Sequence, residues 1–173
     1  FDGVDDGVNM GAASSLNLTG AITMSAWIYA RSYGGSSLGK ITDNSNGTTA
    51  GYSFMVDGYN TTNGLGFATQ NFNVHSGSNI ISLNKWYHVA VSWSGAGNNV
   101  FYYVDGQYKG GSGHGAPSAI LSSAQPLYIG NRANGDRQFD GLIDDVRIFN
   151  RALSASEILQ LYRPGAAKFY LGN

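Results

Sequence analysis

Between Phe139 and Tyr162 the chain runs an apolar, strand-like segment into a capped helix, and the strand carries two adjacent aspartates, Asp144 and Asp145, at its middle. Leu142 and Ile143 precede the pair, and Val146 and Ile148 follow it. Ionised carboxylates near a core are costly unless something compensates them. A bound cation, pairing with Arg147 or Arg151, or bonds from backbone amides would each serve. The helix is specified more directly. Ser154 is placed to cap the Glu157 amide while Glu157 reaches back to the Ser154 amide, and Leu153 with Ile158 supplies the accompanying hydrophobic staple. Ile158, Leu161 and Tyr162 form an inward stripe, and Pro164-Gly165 is expected to end the helix.

Elsewhere the chain reads as strands. Ile22 to Ala30 alternates Ile22, Met24, Ala26 and Ile28 with Thr23, Ser25, Trp27 and Tyr29, the period of a sheet with one aliphatic face. Further runs lie at Tyr52 to Val56, Leu65 to Thr69, Trp86 to Trp93, Val100 to Val104 and Leu127 to Gly130. Their connections are too short for parallel crossovers, so the sheets are expected to be antiparallel. Asp105-Gly106 reads as a two-residue primed hairpin turn, and Asp57-Gly58 as a second such turn. Residues 31–51 and 110–125 read as long irregular loops rich in Gly, Ser, Asn and Thr, a length that tends to go with function.

Composition narrows the function. Only 12% of the residues are charged, there are 25 glycines and 11 tyrosines, and cysteine is absent. That suits an all-β exported domain and removes disulfide frameworks and thiolate chemistry. A net charge of −1, with its 10 basic residues scattered, argues against nucleic-acid and anionic-membrane partners. No run reaches the roughly 20 apolar residues of a membrane helix. The start at Phe1 is expected of a module of a longer protein or a processed product.

Phe1 to Val8, Ile22 to Ile28, Lys85 to Trp93, Tyr103 to Gln107, Pro126 to Asn131 and the closing strand and helix occur in an order that resembles the laminin-G-like jelly-roll domains of the concanavalin A-like lectin/glucanase superfamily. The resemblance implies an all-β, two-sheet antiparallel jelly-roll sandwich with one short C-terminal helix, spanning residues 1–165, with residues 166–173 a terminal strand or connector. It also implies Ca²⁺ at the rim, a hard cation that takes six to eight oxygens. Asp144 is the final-strand position that lines up with a ligand of that site, joined by Asp2, the Gly3 carbonyl and the carbonyl near Ala30. Asp5 and Asp6 read as turn residues rather than ligands.

The glucanases of the superfamily work through two glutamates on one strand, and retaining hydrolysis needs such a carboxylate pair. Glu157 is the chain's only glutamate and belongs to the helix cap, so no catalytic residue is assigned. His88 reads as structural, and His75 and His114 as loop residues. Polar and aromatic residues placed to meet a sugar are Tyr33, Asn44, Asn46, Tyr59, Asn71, His75, Arg132, Asn134 and Asp136. Trp27, Trp86, Trp93 and Tyr102 read as packing residues. The resulting expectation is a non-catalytic, calcium-stabilised module at an extracellular, cell-surface or virion location. It would bind a glycan or another surface ligand, or alternatively serve as a structural or decoration module contacting neighbouring subunits.

Overall fold

The alternation of Ile22–Ala30 does build a central strand, and the rest of the chain assembles around it. The computed structural model describes residues 1–47, 49–69, 72–95, 99–112 and 119–163. Its strands are β1 (Val8–Asn9), β2 (Ile22–Ala30), β3 (Lys40–Asp43), β4 (Tyr52–Asp57), β5 (Gly64–Thr69), β6 (Phe72–His75), β7 (Trp86–Trp93), β8 (Val100–Val104), β9 (Gln107–Ser112), β10 (Tyr128–Ile129) and β11 (Gly141–Phe149), followed by helix α1 (Ala155–Tyr162). They form a six-stranded sheet, β1-β10-β3-β4-β5-β6, and a five-stranded sheet, β11-β2-β7-β8-β9. Every strand pairing is antiparallel, as the short connections require. The core lies between the sheets. Ile22, Met24, Ala26 and Ile28 of β2 and Val89, Val91 and Trp93 of β7 meet Phe54 and Val56 of β4 and Leu65 and Phe67 of β5.

Three local readings are revised. Residues 31–51 contain β3, so the segment is not wholly irregular, and β9 likewise extends into the segment 110–125. Asp57 pairs with Gly64 across the intervening residues 58–63, which makes a loop and not a two-residue turn. Its carboxylate accepts the Tyr59 and Asn60 amides at 2.9 and 2.8 Å. Asp105-Gly106 is the primed turn expected, with positive φ at both residues, 51° and 71°. Pro164-Gly165, residues 166–173, Asn71 and His114 lie outside the described residues.

The two aspartates of the final strand are explained by a bulge. The ladder between β11 and β2 slips between Asp144 and Arg147, and Asp145 adopts φ 47°. The extra residue lets Ile143, Val146 and Ile148 all pack toward the core while Asp144, Asp145 and Arg147 stay exposed. Asp144 Oδ1 accepts the Asp145 amide at 2.7 Å, and Asp145 pairs with Arg147 at 2.8 Å. Amides and arginine compensate these carboxylates, one of the arrangements the sequence left open.

Helix α1 packs on part of the outer face of the five-stranded sheet. Ile158 and Leu153 close over Ala90 and Tyr103, and Tyr162 lies against Trp27 and His88 with ring centroids 5.8 and 6.1 Å apart. The capping box is formed as expected. Chain entry into the helix is fixed by buried hydroxyls. Thr23 Oγ1 accepts the Leu153 amide at 2.8 Å and donates to the Arg151 carbonyl at 2.9 Å, while Ser92 Oγ donates to the Leu153 carbonyl at 3.0 Å. Thr23→Val keeps the shape and strands two backbone groups, and should cost about 2 kcal/mol. For a domain of this size that lowers the thermal midpoint by roughly 4 to 8 °C. A calorimetric midpoint within a degree or so of the wild type would contradict this role.

Candidate functional site

The six-stranded sheet keeps its outer face free of the helix, and the register of β3 to β6 decides what that face displays. Two cross-strand rows run over it. Lys40 opposes Met55, Met55 opposes Gly66 and Gly66 opposes His75; Asp43 opposes Ser53, Ser53 opposes Ala68 and Ala68 opposes Asn73. A bulge sets the first member of each row. The β3 ladder slips between Lys40 and Thr42, so that Ile41 and Thr42 both turn inward, Ile41 into the core and Thr42 Oγ1 against Met24 Sδ at 3.2 Å. Lys40 and Asp43, three residues apart, therefore share the outer face, with Nζ 3.8 Å from Oδ2.

Gly66 and Ala68 leave the middle of this face without bulk, and loops rise around it. The result is a depression of about 200 Å³. Its floor holds Lys40, Ser53, Met55 and Ala68, and Asn73 and His75 stand on β6. Asn60, from the loop after β4, and Arg132 and Arg137, from the segment before β11, line its walls. A smaller adjoining hollow of about 130 Å³ shares Arg132 and adds Asn46 and Asn134. Gly66 cannot grow without disturbing the floor, because a Cβ there would lie 3.0 Å from Met55 Cγ.

Electrostatically the site is tense. Lys40 is 6% exposed, and burial pulls its pKa down to about 8 against the attraction of Asp43, with Arg132 and Arg137 adding repulsion. Burial likewise pushes the Asp43 carboxyl up, although Lys40 and two bonds from Ser45 resist. Fully buried Asp57 is also raised by desolvation, but His75 and the Asn60 and Tyr59 amides outweigh that and hold its pKa below the usual carboxylate range. His75 Nδ1 lies 2.5 Å from Asp57 Oδ2. Arg132 holds Asp136 through both guanidinium arms, one at 2.5 Å, and this pairing lowers the Asp136 pKa.

Several residues expected to contact a sugar meet here. His75 and Arg132 line the depression, Asn46 and Asn134 the adjoining hollow, and Asp136 orients Arg132. Tyr59 is exposed beside Asn60 at the rim. Asn44 is corrected: it is buried, and its Nδ2 donates to the Gln125 carbonyl at 2.7 Å, tying two loops together. Tyr33 packs its ring against Gly58 and supports a loop. Lys40, Ser53, Met55, Asn73 and Arg137 were not anticipated.

The residues expected to hold calcium are not gathered in one place. Asp2 bridges to Asp140, and Gly3 sits close to the Asp140 side chain. Ala30 opposes Gly141, and its carbonyl accepts the Asn84 amide at 2.7 Å. Asp144 opposes Trp27, three ladder positions further along, which is about 10 Å of strand. Asp140 is committed to Arg31 at 2.9 Å. Among the described residues the carboxylates that converge are Asp2, Asp5 and Asp6, whose oxygens lie within 4.8 Å of one another and are exposed.

Two stacked antiparallel sheets with a recessed polar outer face define a jelly-roll sandwich of the lectin type. The chain belongs to the concanavalin A-like lectin/glucanase superfamily, whose family profile, described as Concanavalin A-like lectin/glucanases superfamily, matches residues 2–159. A 90-residue stretch, 51% of the chain, is 30% identical to Adhesion G-protein coupled receptor V1 of Danio rerio, of whose length the chain spans about 1%. The fold is similar to Domain 4 of AbnA, a GH43 extracellular arabinanase from Geobacillus stearothermophilus in complex with arabinotriose, with TM-score 0.71, 18% identity, and coverage of 94% of this chain and 75% of that one. It is also similar to the Ruminococcus gnavus IT-sialidase CBM40 bound to alpha2,3 sialyllactose, with TM-score 0.66, 12% identity, and coverage of 94% and 100%. No helix among the described residues is long and apolar enough to cross a membrane.

The Lys40 shift has a measurable sign. With the pKa lowered from 10.5 to about 8, the unfolded chain holds a proton that the folded chain has released between these values. The penalty is fully present below pH 8, and stability rises with pH through that window. Denaturant unfolding between about pH 7.5 and 9.5 should show the wild type gaining on the order of 2 kcal/mol relative to Lys40→Met. Parallel pH profiles for the two proteins would show that Lys40 is not desolvated as described.

Proposed function

We propose that this chain is a non-catalytic carbohydrate-binding module whose ligand lies across the outer face of the six-stranded sheet. The observation that carries the reading is the pair of cross-strand rows. They place small residues, Gly66 and Ala68, in the middle of a face ringed by Lys40, Ser53, Asn73, His75, Arg132 and Arg137. A flat floor lets a sugar ring approach the backbone, and donors around it can read hydroxyl groups. Ser53 lies on the floor beside the Asp43 carboxylate, which keeps a hydroxyl at the base of the recess. Exposed Tyr59 at the rim offers an aromatic face for the apolar side of a sugar.

The similarity to modules in complex with arabinotriose and bound to sialyllactose supports the reading, and the similarity to an extracellular arabinanase and an adhesion receptor supports an extracellular location. Hydrolysis is disfavoured because, among the described residues, no carboxylate lines the depression. Asp43 and Asp57 are buried and already bonded, and Glu157 caps the helix. Calcium is part of the proposal as a stabiliser of the N-terminal rim, with Asp2, Asp5 and Asp6 supplying oxygens and water completing the shell.

Glycan-array screening followed by calorimetry tests the site. Wild type should bind oligosaccharide, and Ala68→Leu, which fills the floor, should weaken binding at least about tenfold, equivalent to about 1.4 kcal/mol, with the fold intact by circular dichroism. Undiminished binding by Ala68→Leu, or no glycan bound by the wild type, would overturn the assignment. For the metal, calcium titration should give heat that Asp6→Asn removes and Asp144→Ala preserves. No heat with the wild type, or loss confined to Asp144→Ala, would sink that part.

A further inference from the structure

The charge lining the depression is one-sided. Lys40, Arg132 and Arg137 line it together with His75, and among the described residues no carboxylate does. Nearby carboxylates are each committed elsewhere. Asp136 is held by Arg132, Asp43 lies beneath Lys40 and accepts from Ser45, and Asp57 faces His75 and the loop amides. Arg137 feels Asp136 only at a distance. Among the described residues it forms no ion pair, and its Nη1 is buried without any hydrogen-bond partner. Its backbone is fixed, because the Arg137 carbonyl accepts the Lys40 amide at 3.0 Å and so ties the residue to the edge of β3. A desolvated guanidinium nitrogen with nothing to donate to is costly, and a molecule whose net charge is only −1 has no general surplus of cations to account for it.

We propose that the glycan recognised at this face carries a carboxylate, an acidic sugar such as a uronate or sialate, and that Arg137 is the specificity-determining residue that receives it. This rests on the glycan-binding reading above and names its ligand class. A guanidinium presents parallel N–H groups matched to the planar carboxylate, so the bond is both strong and directional. Lys40 adds a point charge from the floor, and Arg132, clamped by Asp136, supplies positive potential at the wall without needing to release its partner. A neutral sugar offers the same donors only uncharged hydroxyl acceptors, which make the weaker bond.

The test compares oligosaccharides bearing uronate or sialate with the same oligosaccharides after reduction of the carboxyl to an alcohol, by calorimetry with wild type, Arg137→Gln, Arg137→Lys and Ala68→Leu. The proposal expects reduction to weaken wild-type binding by about tenfold to a hundredfold, the range for losing a charge-assisted bond. It expects Arg137→Gln to erase the difference between the two ligand forms and Arg137→Lys to restore it in part. Acidic and reduced forms bound equally by the wild type, with both lost in Ala68→Leu, would overturn the acidic-ligand assignment while leaving the glycan site standing. A preference for the acidic form that survives Arg137→Gln would overturn the role of Arg137. Binding of neither form by the wild type would overturn both the inference and the reading beneath it.

Discussion

The slip of one residue at Ile41 is the constraint on which the candidate site depends. In a regular strand Lys40 and Asp43 would point to opposite faces, because side chains alternate with period two. The bulge inserts Ile41 so that Ile41 and Thr42 both face the core, and Lys40 and Asp43 emerge together on the outside. Both rows across β4, β5 and β6 follow from that register, and so does the position of Arg137, whose carbonyl is bonded to the Lys40 amide. Shifting the strand by one residue would send the whole arrangement to the wrong face.

The final strand uses the same device for a different end. There the bulge at Asp145 keeps three apolar residues inward and lets adjacent aspartates remain in water, so the pair needs no metal to be tolerated. The two faces of the sandwich then divide the work. On the five-stranded sheet a capped helix, docked through Thr23 and Ser92, occupies part of the outer surface. On the six-stranded sheet the outer surface is left to polar and cationic groups, notably the desolvated Lys40 and Arg137, whose Nη1 lacks a hydrogen-bond partner. A large shared core supports that local cost, which is the usual relation between a stable scaffold and a strained binding face.

Much of the scaffold was legible in the sequence and much of the site was not, for physical reasons. The alternation of β2, the Asp105-Gly106 turn and the Ser154 to Glu157 capping box are local signals, and each formed as the residues dictate. Strand β3 was hidden because its bulge breaks the alternation that identifies strands, and with it went Lys40 and the partners that only register can supply: Ser53, Met55 and Asn73. Asn44 looked like a loop amide and is a buried tie, since its side chain serves the backbone of a distant segment. His75, Arg132, Asn46 and Asn134 were recognisable as polar residues near strand ends, but nothing in the sequence said they share one recess. The calcium expectation joined Asp2 to Asp144, but it is Asp140 that lies beside Asp2, a neighbour that only the strand register decides.

Amide chemical-shift mapping of the isotope-labelled domain during titration with the best oligosaccharide from the array addresses the central claim most directly. The account predicts saturable shifts concentrated on β3 to β6 and on the segment carrying Arg132 and Arg137, with α1 and the five-stranded sheet unmoved. Shifts concentrated on the N-terminal rim, on α1 or on the outer face around Phe101 and Tyr108 would contradict it.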